Sequence, residues 1–208
     1  MKTQRFNHDW LGDEPNGYFF GLVNLLGSLE NYLLTKNDGK FPSSKIRMLE
    51  IGSHMGESTM MFAASHLFYE IHCIDPFEGH EQFNVDNNYD WNFVEEQFKI
   101  NTRFFNNINL HKNYSYNIVD KFSDEYFDFI YIDASHRYED IKRDIESYLP
   151  KLKKDGIISG HDYHEERWPG VTNAVNEILG EPDQVYWDTS WIKYEVQDIR
   201  KRSTKTLY

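Results

Sequence analysis

Short apolar runs alternate with helical segments along most of this chain, and this alternation constrains the fold more than any other feature. Strands that alternate with helices imply βαβ units and a mostly parallel sheet. Five segments have the length and apolar content of buried strands: Ile46–Ile51, Glu70–Ile74, Ile108–His111, Phe127–Ile132 and Ile157–Gly160. Apolar residues at helical spacing predict the intervening helices, of which His136–Leu149 is the clearest.

The end of the chain departs from this alternation. A helix over Val171–Leu179 is followed by two apolar segments, Val185–Trp187 and Trp191–Val196, with only a tight turn between them. Strands joined so closely must be antiparallel neighbours. The sequence therefore predicts an α/β fold with a mostly parallel seven-stranded sheet, an antiparallel edge strand and helices on both faces.

The length of 208 residues suits one domain. We expect a single domain over residues 1–208, in which residues 1–15 are loose, residues 16–36 form an N-terminal helix and residues 46–196 form the core. A turn at Lys154–Gly156 is predicted to lead into the fifth strand.

The formal net charge of −12 disfavours nucleic acid and anionic membranes as partners. Cys73 is the only cysteine, so neither an intrachain disulfide nor a cysteine-based zinc site can form. Residues 1–10 contain no signal-peptide-like apolar stretch, and no window approaches the ~18 apolar residues of a membrane-spanning helix. These features predict a cytoplasmic protein.

Four predicted strands end in or beside an acidic residue: Glu50, Asp75, Asp133 and Asp162. Open α/β sheets bind ligands outside the carboxyl ends of their strands, so these acids are expected to line one rim. Any single acid can instead be a helix N-cap or a solvated loop residue. Four acids in the same register favour the ligand-binding interpretation.

The first acid precedes a turn in which Gly52 and Gly56 allow the backbone to bend tightly and approach a ligand. The turn lacks the GxGxxG triplet of dinucleotide sites and the Gly-Lys-Ser/Thr of a P-loop. A carboxylate or a sugar hydroxyl therefore suits it better than a diphosphate, and an ordinary βα turn is the alternative. Asp75, which follows Glu50 by 25 positions, lies where related folds hydrogen-bond a ribose.

Four motifs in order carry a family resemblance: Glu50–Gly56, Asp75–Phe77, Ile130–Asp133 and Gly156–Tyr163. Together they resemble the Rossmann-like class I S-adenosylmethionine-dependent methyltransferases. The closest similarity is to the small metal-assisted branch that includes macrocin O-methyltransferase-like and cephalosporin-hydroxylase-like proteins. The resemblance covers roughly residues 46–179.

The resemblance implies that the glycine turn holds the methionine part of the cofactor and that Asp75 holds the ribose hydroxyls. It also implies that Pro76 and Phe77 flank the adenine and that Ser115 lies in the loop that touches it. The residues assigned to cofactor contact are Glu50, Gly52, Ser53, Gly56, Ser58, Asp75, Pro76, Phe77, Ser115 and Asp133.

Asp133 and Asp162 end strands that are expected to be adjacent, about 4.8 Å apart. Two carboxylates at that distance repel each other unless a cation or a proton lies between them. The resemblance implies a Mg²⁺ site here, but His161 replaces one acid of the usual pair. Because Mg²⁺ prefers oxygen ligands, His161 admits Mn²⁺ or another divalent metal. The proposed ligands are Asp133, His161 and Asp162, and a hydrogen-bonded histidine beside a helix cap is the alternative for His161.

His136 follows Asp133 by three residues, at the start of a helix. Histidine titrates near neutral pH and can take a proton from a hydroxyl. His136 and Asp133 are therefore the candidate catalytic residues, and a structural residue of the first helical turn is the alternative for His136. Two loops, Glu78–Asp90 and Tyr163–Gly170, are candidate lids or plain surface loops, and their rings would suit a sugar or aromatic acceptor.

The leading hypothesis is a methyltransferase that uses S-adenosyl-L-methionine and a divalent metal to modify a hydroxyl of a small molecule. The expected partner is a hydroxylated small-molecule acceptor, and a homo-oligomer is compatible with the sequence. One alternative is a non-catalytic protein that retains the fold for binding or as a scaffold. Another is a metal-dependent enzyme of a different reaction type on this fold.

Overall fold

A computed structural model describes residues 17–40, 46–78 and 90–196. One sheet of seven strands runs through these residues in the order β3-β2-β1-β4-β5-β7-β6. The strands are β1 (Ile46–Ile51), β2 (Phe68–Asp75), β3 (Ile108–Lys112), β4 (Phe127–Ile132), β5 (Leu152–Gly160), β6 (Gln184–Val185) and β7 (Trp191–Lys193).

The first five strands pair in parallel, and β7 is antiparallel to both of its neighbours, β5 and β6. The predicted fold class is therefore confirmed, with the antiparallel pairings at one edge of the sheet. The helices are α1 (Gly17–Lys36), α2 (Glu57–Ala64), α3 (Trp91–Thr102), α4 (Ser115–Ile118), α5 (Tyr138–Tyr148) and α6 (Pro169–Leu179). Short 3₁₀ turns follow α4 and α5.

Helices cover both faces of the sheet because the side chains of its central strands alternate between two apolar clusters. On β4, Ile130 and Ile132 pack into the cluster that α5 and α6 contribute to, whereas Phe129 and Tyr131 pack into the cluster formed with α1, α2 and α3. Strands that are apolar on both faces are typical of a covered parallel sheet. None of the helices in the described part of the chain is long and apolar enough to cross a membrane.

Two sequence expectations differ from the structure or fall outside it. Residues Lys154–Gly156 lie within β5 rather than in a turn, and the pairing with β4 jumps from Leu152 to Ile157 over this stretch. The bulge absorbs the polar residues without ending the strand. The candidate lid over Glu78–Asp90 falls mostly on residues 79–89, which lie outside the described residues.

The strand order reverses between β1 and β4, which places a crevice at the carboxyl ends of these two strands. The turn after β1 enters this crevice through Gly52, which has a φ of 89°. A Cβ atom at Gly52 would lie 2.0 Å from the carbonyl oxygen of Asp133. The end of β4 can therefore approach the turn only because residue 52 has no side chain.

We predict that Gly52→Ala lowers the free energy of unfolding by at least about 2 kcal/mol, because it combines left-handed backbone strain with overpacking against a backbone atom. Gly27→Ala is the matched control, since nothing lies within 4 Å of a Cβ atom at this α1 position. Alanine should stabilise that helix by about 0.5–1 kcal/mol. Urea unfolding of both variants measures the contrast, and a Gly52→Ala protein as stable as wild type would contradict the packing argument.

Candidate functional site

A cavity of about 560 Å³ opens at the carboxyl ends of β1, β2, β4 and β5. Its wall contains the turn after β1, the residues Asp75 and Pro76 after β2, the segment Asp133–His136 after β4, and His161 and Asp162 after β5. The reversal of strand order thus brings together groups from four separate parts of the sequence.

Asp75 fixes the glycine turn to the end of β2. Its Oδ2 atom accepts a hydrogen bond from the backbone N–H of His54 at 2.8 Å, and its Oδ1 atom accepts one from the backbone N–H of Phe77 at 2.7 Å. Burial raises the pKa of Asp75, although these bonds and one from the Ser53 backbone lower it. Each carboxylate oxygen has two lone pairs, so the group can still accept hydrogen bonds from a ligand in the cavity.

Glu50 lies beneath the turn rather than in the cavity wall. Its side chain is 0% exposed and accepts hydrogen bonds from the hydroxyls of Ser58, at 2.5 Å, and Thr59. The thiol of Cys73 lies 3.5 Å from the same carboxylate, and burial raises the pKa of Glu50. Glu50 therefore ties β1 to the start of α2, and this support replaces the ligand contact expected from the sequence.

Gly56 and Phe77 also lie behind the cavity wall. Gly56 is the N-cap of α2 with a φ of 77°, and a Cβ atom there would lie 2.9 Å from the ring of Phe98. The side chain of Phe77 is 3% exposed and packs edge-on against Phe98, with ring centroids 5.8 Å apart. Both residues hold α3 against the turn, and neither contacts the cavity.

The other residues assigned to cofactor contact do line the cavity: Gly52, Ser53, Ser58, Asp75, Pro76, Ser115 and Asp133. Ser115 follows β3 at the start of α4, and its hydroxyl donates to Asp144 Oδ1 at 2.5 Å. The backbone carbonyl of Ser115 accepts a hydrogen bond from the hydroxyl of Tyr148 at 2.8 Å. This loop is therefore anchored to α5 on two sides.

A compact acidic cluster lies at the other end of the cavity. Asp133, His161 and Asp162 each offer a potential ligand atom, and these atoms lie within 4.8 Å of one another. Asp162 Oδ1 is 3.1 Å from His161 Nδ1, and Asp162 Oδ2 is 2.7 Å from His136 Nε2. The ring of His136 packs on Trp168, with centroids 3.9 Å apart.

Burial and mutual interaction shift the pKa values within this cluster. Burial raises the pKa of Asp133 to about 6, with Asp162 and Asp188 adding to the rise and the histidines opposing it. Burial alone would lower the pKa of His161, but the nearby carboxylates outweigh it and raise that pKa to about 9. Burial alone would raise the pKa of Asp162, but hydrogen bonds to the two histidines hold it well below its usual range.

Sequence reasoning missed two acids of the cavity wall, Asp144 and Asp188. Asp144 occupies the buried side of α5, three residues after Ile141 and four before Tyr148. A carboxylate within an apolar stripe is a readable signal, since such a group requires a partner. Asp188 comes from the tight turn between β6 and β7, and no sequence pattern relates that turn to the rim.

Comparison with known proteins identifies the family. The family model Methyltransf_24, described as a methyltransferase domain, matches residues 49–163, which is more than half of the chain. Uncharacterized protein y4gI of Sinorhizobium fredii is 27% identical over 120 residues. That alignment covers 56% of this chain and spans 13% of the length of this curated relative.

Solved structures with low sequence identity share the fold. The O-methyltransferase NovP superposes with a TM-score of 0.61 at 15% identity, covering 84% of this chain and 78% of that one. The calicheamicin methyltransferase CalS11 gives a TM-score of 0.58 at 15% identity, covering 93% and 87%. Cofactor-bound Rv0187 from MTB gives 0.52 at 14% identity, covering 85% and 76%.

The matched family model spans the glycine turn, Asp75 and all three members of the acidic cluster. The strand order and the crevice at the reversal point agree with the fold of the superposed structures. This chain therefore belongs to the methyltransferase-domain family and has the fold of the class I S-adenosylmethionine-dependent methyltransferases.

Proposed function

We propose that this protein transfers the methyl group of S-adenosylmethionine to a hydroxyl group of a small molecule, assisted by a divalent metal ion. The observation that carries the proposal is the shared cavity. It places the glycine turn and Asp75 at one end and the acidic cluster of Asp133, His161 and Asp162 at the other. Its volume of about 560 Å³ is in the range of small-molecule sites.

The cofactor-binding part of the proposal follows from the turn and Asp75. The backbone at Gly52 and Ser53 lies in the cavity wall and can hold the methionine part of the cofactor. The carboxylate of Asp75 is positioned to accept hydrogen bonds from the ribose hydroxyls, because its backbone contacts already fix its orientation. Acidic side chains along the wall favour the positive charge of the sulfonium.

The acidic cluster fits a divalent metal ion. Two buried carboxylates and an imidazole within 4.8 Å of one another are a suitable donor set, and the histidine favours Mn²⁺, Fe²⁺, Co²⁺ or Zn²⁺ over Mg²⁺. Asp133, His161 and Asp162 would hold the ion. A divalent ion there supplies Lewis acidity, which makes an acceptor hydroxyl easier to deprotonate.

His136 is the proposed proton acceptor, and Asp162 orients it. The contact between His136 Nε2 and Asp162 Oδ2 at 2.7 Å, together with packing on Trp168, restrains the imidazole at the cavity wall. Methyl transfer is an in-line displacement, so the protein must align donor and acceptor and remove one proton. Asp133 and His136 lie at the same strand end and can serve both requirements.

The rim near the acidic cluster favours an acceptor that carries a sugar or an aromatic ring. Trp168 and Trp187 line the cavity, and the Trp187 side chain is 82% exposed. Exposed indole rings stack well on flat apolar surfaces. One superposed structure is described as a TDP-rhamnose 3'-O-methyltransferase and gives a TM-score of 0.54 at 15% identity, covering 93% of this chain and 88% of that one. This description supports a glycosylated acceptor for the present chain.

The experiment that tests the proposed function combines calorimetry with a turnover screen. S-adenosylmethionine and S-adenosylhomocysteine should both bind, and release of S-adenosylhomocysteine should depend on a hydroxylated acceptor from a panel of glycosides and phenols. Binding without turnover across the panel would favour a binding or scaffold protein. Absence of binding by either nucleoside would overturn the proposal.

Asp75→Ala should weaken binding of S-adenosylhomocysteine at least tenfold, because it removes two charge-assisted hydrogen bonds worth about 1.5–3 kcal/mol each before water compensates. Calorimetry measures the affinity, and circular dichroism checks that the turn still folds. Asp90→Ala is the matched control, since Asp90 caps α3 outside the cavity. It should cost about 0.5–2 kcal/mol of stability without changing the affinity. An unchanged affinity in Asp75→Ala would remove the ribose assignment.

Mn²⁺ should bind to the wild-type protein with measurable heat, and Asp133→Asn or Asp162→Asn should abolish that binding while S-adenosylhomocysteine still binds. The cofactor contacts lie mainly on the first two strands, so the two affinities should separate. Exhaustive chelation should stop methyl transfer, and added Mn²⁺ should restore it. Asp124→Asn, at an exposed acid paired with Lys151, is the control. Full activity of a protein shown by elemental analysis to be metal-free would rule out metal assistance.

His136→Gln should lower kcat by about 10²–10⁴-fold, the range typical of lost general-base assistance, with an acceptor found in the screen. Affinity for S-adenosylhomocysteine should remain unchanged, because His136 lies at the acceptor end. His66→Gln, at an exposed histidine after α2, should leave both quantities unchanged. A wild-type kcat in His136→Gln would make His136 a structural residue of the helix start.

A further inference from the structure

The lobe of the cavity farthest from the acidic cluster is built by α5 and the loop after β3. Ser115 and Tyr114 come from the loop, and Asp140, Arg143 and Asp144 come from α5. The acceptor part of the proposal does not use this lobe. Its polar groups therefore need a separate explanation.

Asp144 is the most unusual group in the lobe. Its side chain belongs to the buried face of α5, with 4% relative exposure, yet the residue lines the cavity. Burial raises the pKa of Asp144 to about 6, with Asp140 adding to the rise and Ser115 and Arg143 opposing it. Keeping a carboxylate in such a position is costly unless it serves a partner.

The hydrogen bond between Ser115 and Asp144 decides what the pair can offer a ligand. Ser115 Oγ donates its only hydrogen to Asp144 Oδ1 at 2.5 Å, so the hydroxyl oxygen presents lone pairs and no donor. In the described part of the chain, no other group hydrogen-bonds the Asp144 carboxylate. An ionised Asp144 together with Ser115 is therefore a surface of hydrogen-bond acceptors alone.

A surface of acceptors selects a ligand edge that carries N–H donors and rejects one that carries a carbonyl oxygen. In the proposed cofactor, the 6-amino group of adenine is such a donor edge, and the 6-oxo group of hypoxanthine is its carbonyl counterpart. We infer that Ser115 and Asp144 read the 6-amino group of the cofactor's adenine and exclude the deaminated cofactor. This inference rests on the proposed function.

A purely structural role is the competing explanation, because Tyr148 also bonds the Ser115 backbone and holds the same loop. The two roles differ in what a substitution changes. If Asp144 only supports the loop, its replacement should weaken all nucleosides alike. If it reads the purine, its replacement should alter the preference between adenine and hypoxanthine.

Calorimetry with S-adenosylhomocysteine and S-inosylhomocysteine tests the inference above neutral pH, where Asp144 is ionised. Wild-type protein should prefer the adenine compound at least tenfold. In Asp144→Asn, the amide oxygen can accept the Ser115 hydrogen while the amide N–H groups face the cavity, so the preference should fall below about threefold or reverse. Asp140→Asn is the matched control, because Ser135 and Arg143 already hold that carboxylate at 2.8 and 2.9 Å. It should keep the wild-type preference.

Equal affinity of the wild-type protein for the two compounds would overturn the inference while leaving the cofactor proposal intact. A parallel loss of both affinities in Asp144→Asn, with the preference retained, would also overturn it in favour of the loop-support role. Failure of both compounds to bind wild-type protein would instead overturn the proposed function, and the inference with it.

Discussion

Parallel pairing of β1 with β2 on one side and β4 on the other is the constraint on which the rest of the site depends. The last residue of β1, Ile51, pairs with Ile74 and with Ile132, so the three strands end at one level. Whatever follows each strand must enter the same crevice. Gly52 makes this convergence sterically possible, because the carbonyl of Asp133 occupies the place where a Cβ atom would lie.

The same convergence creates an electrostatic problem that the protein solves locally. Asp133 and Asp162 are buried close together, and a carboxylate in such surroundings is unfavourable without a partner. His136 and His161 both contact Asp162, which keeps that group ionised, while burial shifts Asp133 towards its neutral form. A cluster whose charges are balanced only through two histidines is suited to accept a cation in place of protons.

The other end of the cavity uses acids differently. Glu50 never reaches the cavity, and its buried contacts with Ser58 and Thr59 hold the turn from below. Asp75 holds the same turn from the side through backbone N–H groups. The turn is thus fixed before any ligand arrives, and this preorganisation reduces the entropy that binding must overcome.

Particular residues show how far sequence reasoning reached. Alternating strands and helices predicted the parallel sheet, and four acids at predicted strand ends indicated which edge carries the site, because both patterns are local in the chain. The burial of Phe77 and Gly56 behind Phe98 could not be predicted, since it depends on where α3 packs. The bulge at Lys154–Gly156 likewise depends on pairing with β4 rather than on local turn preference.

The sequence by itself therefore determined the order of the elements, the rim on which the acids lie and the family to which the chain is similar. Only the tertiary structure decided which acids face the cavity and which support it from behind. It also brought in Asp144 and Asp188, from the buried face of α5 and from a distant turn. The physical reason is that strand and helix periodicity are encoded over a few neighbouring residues, whereas the surroundings of a carboxylate are set by elements far apart in the chain.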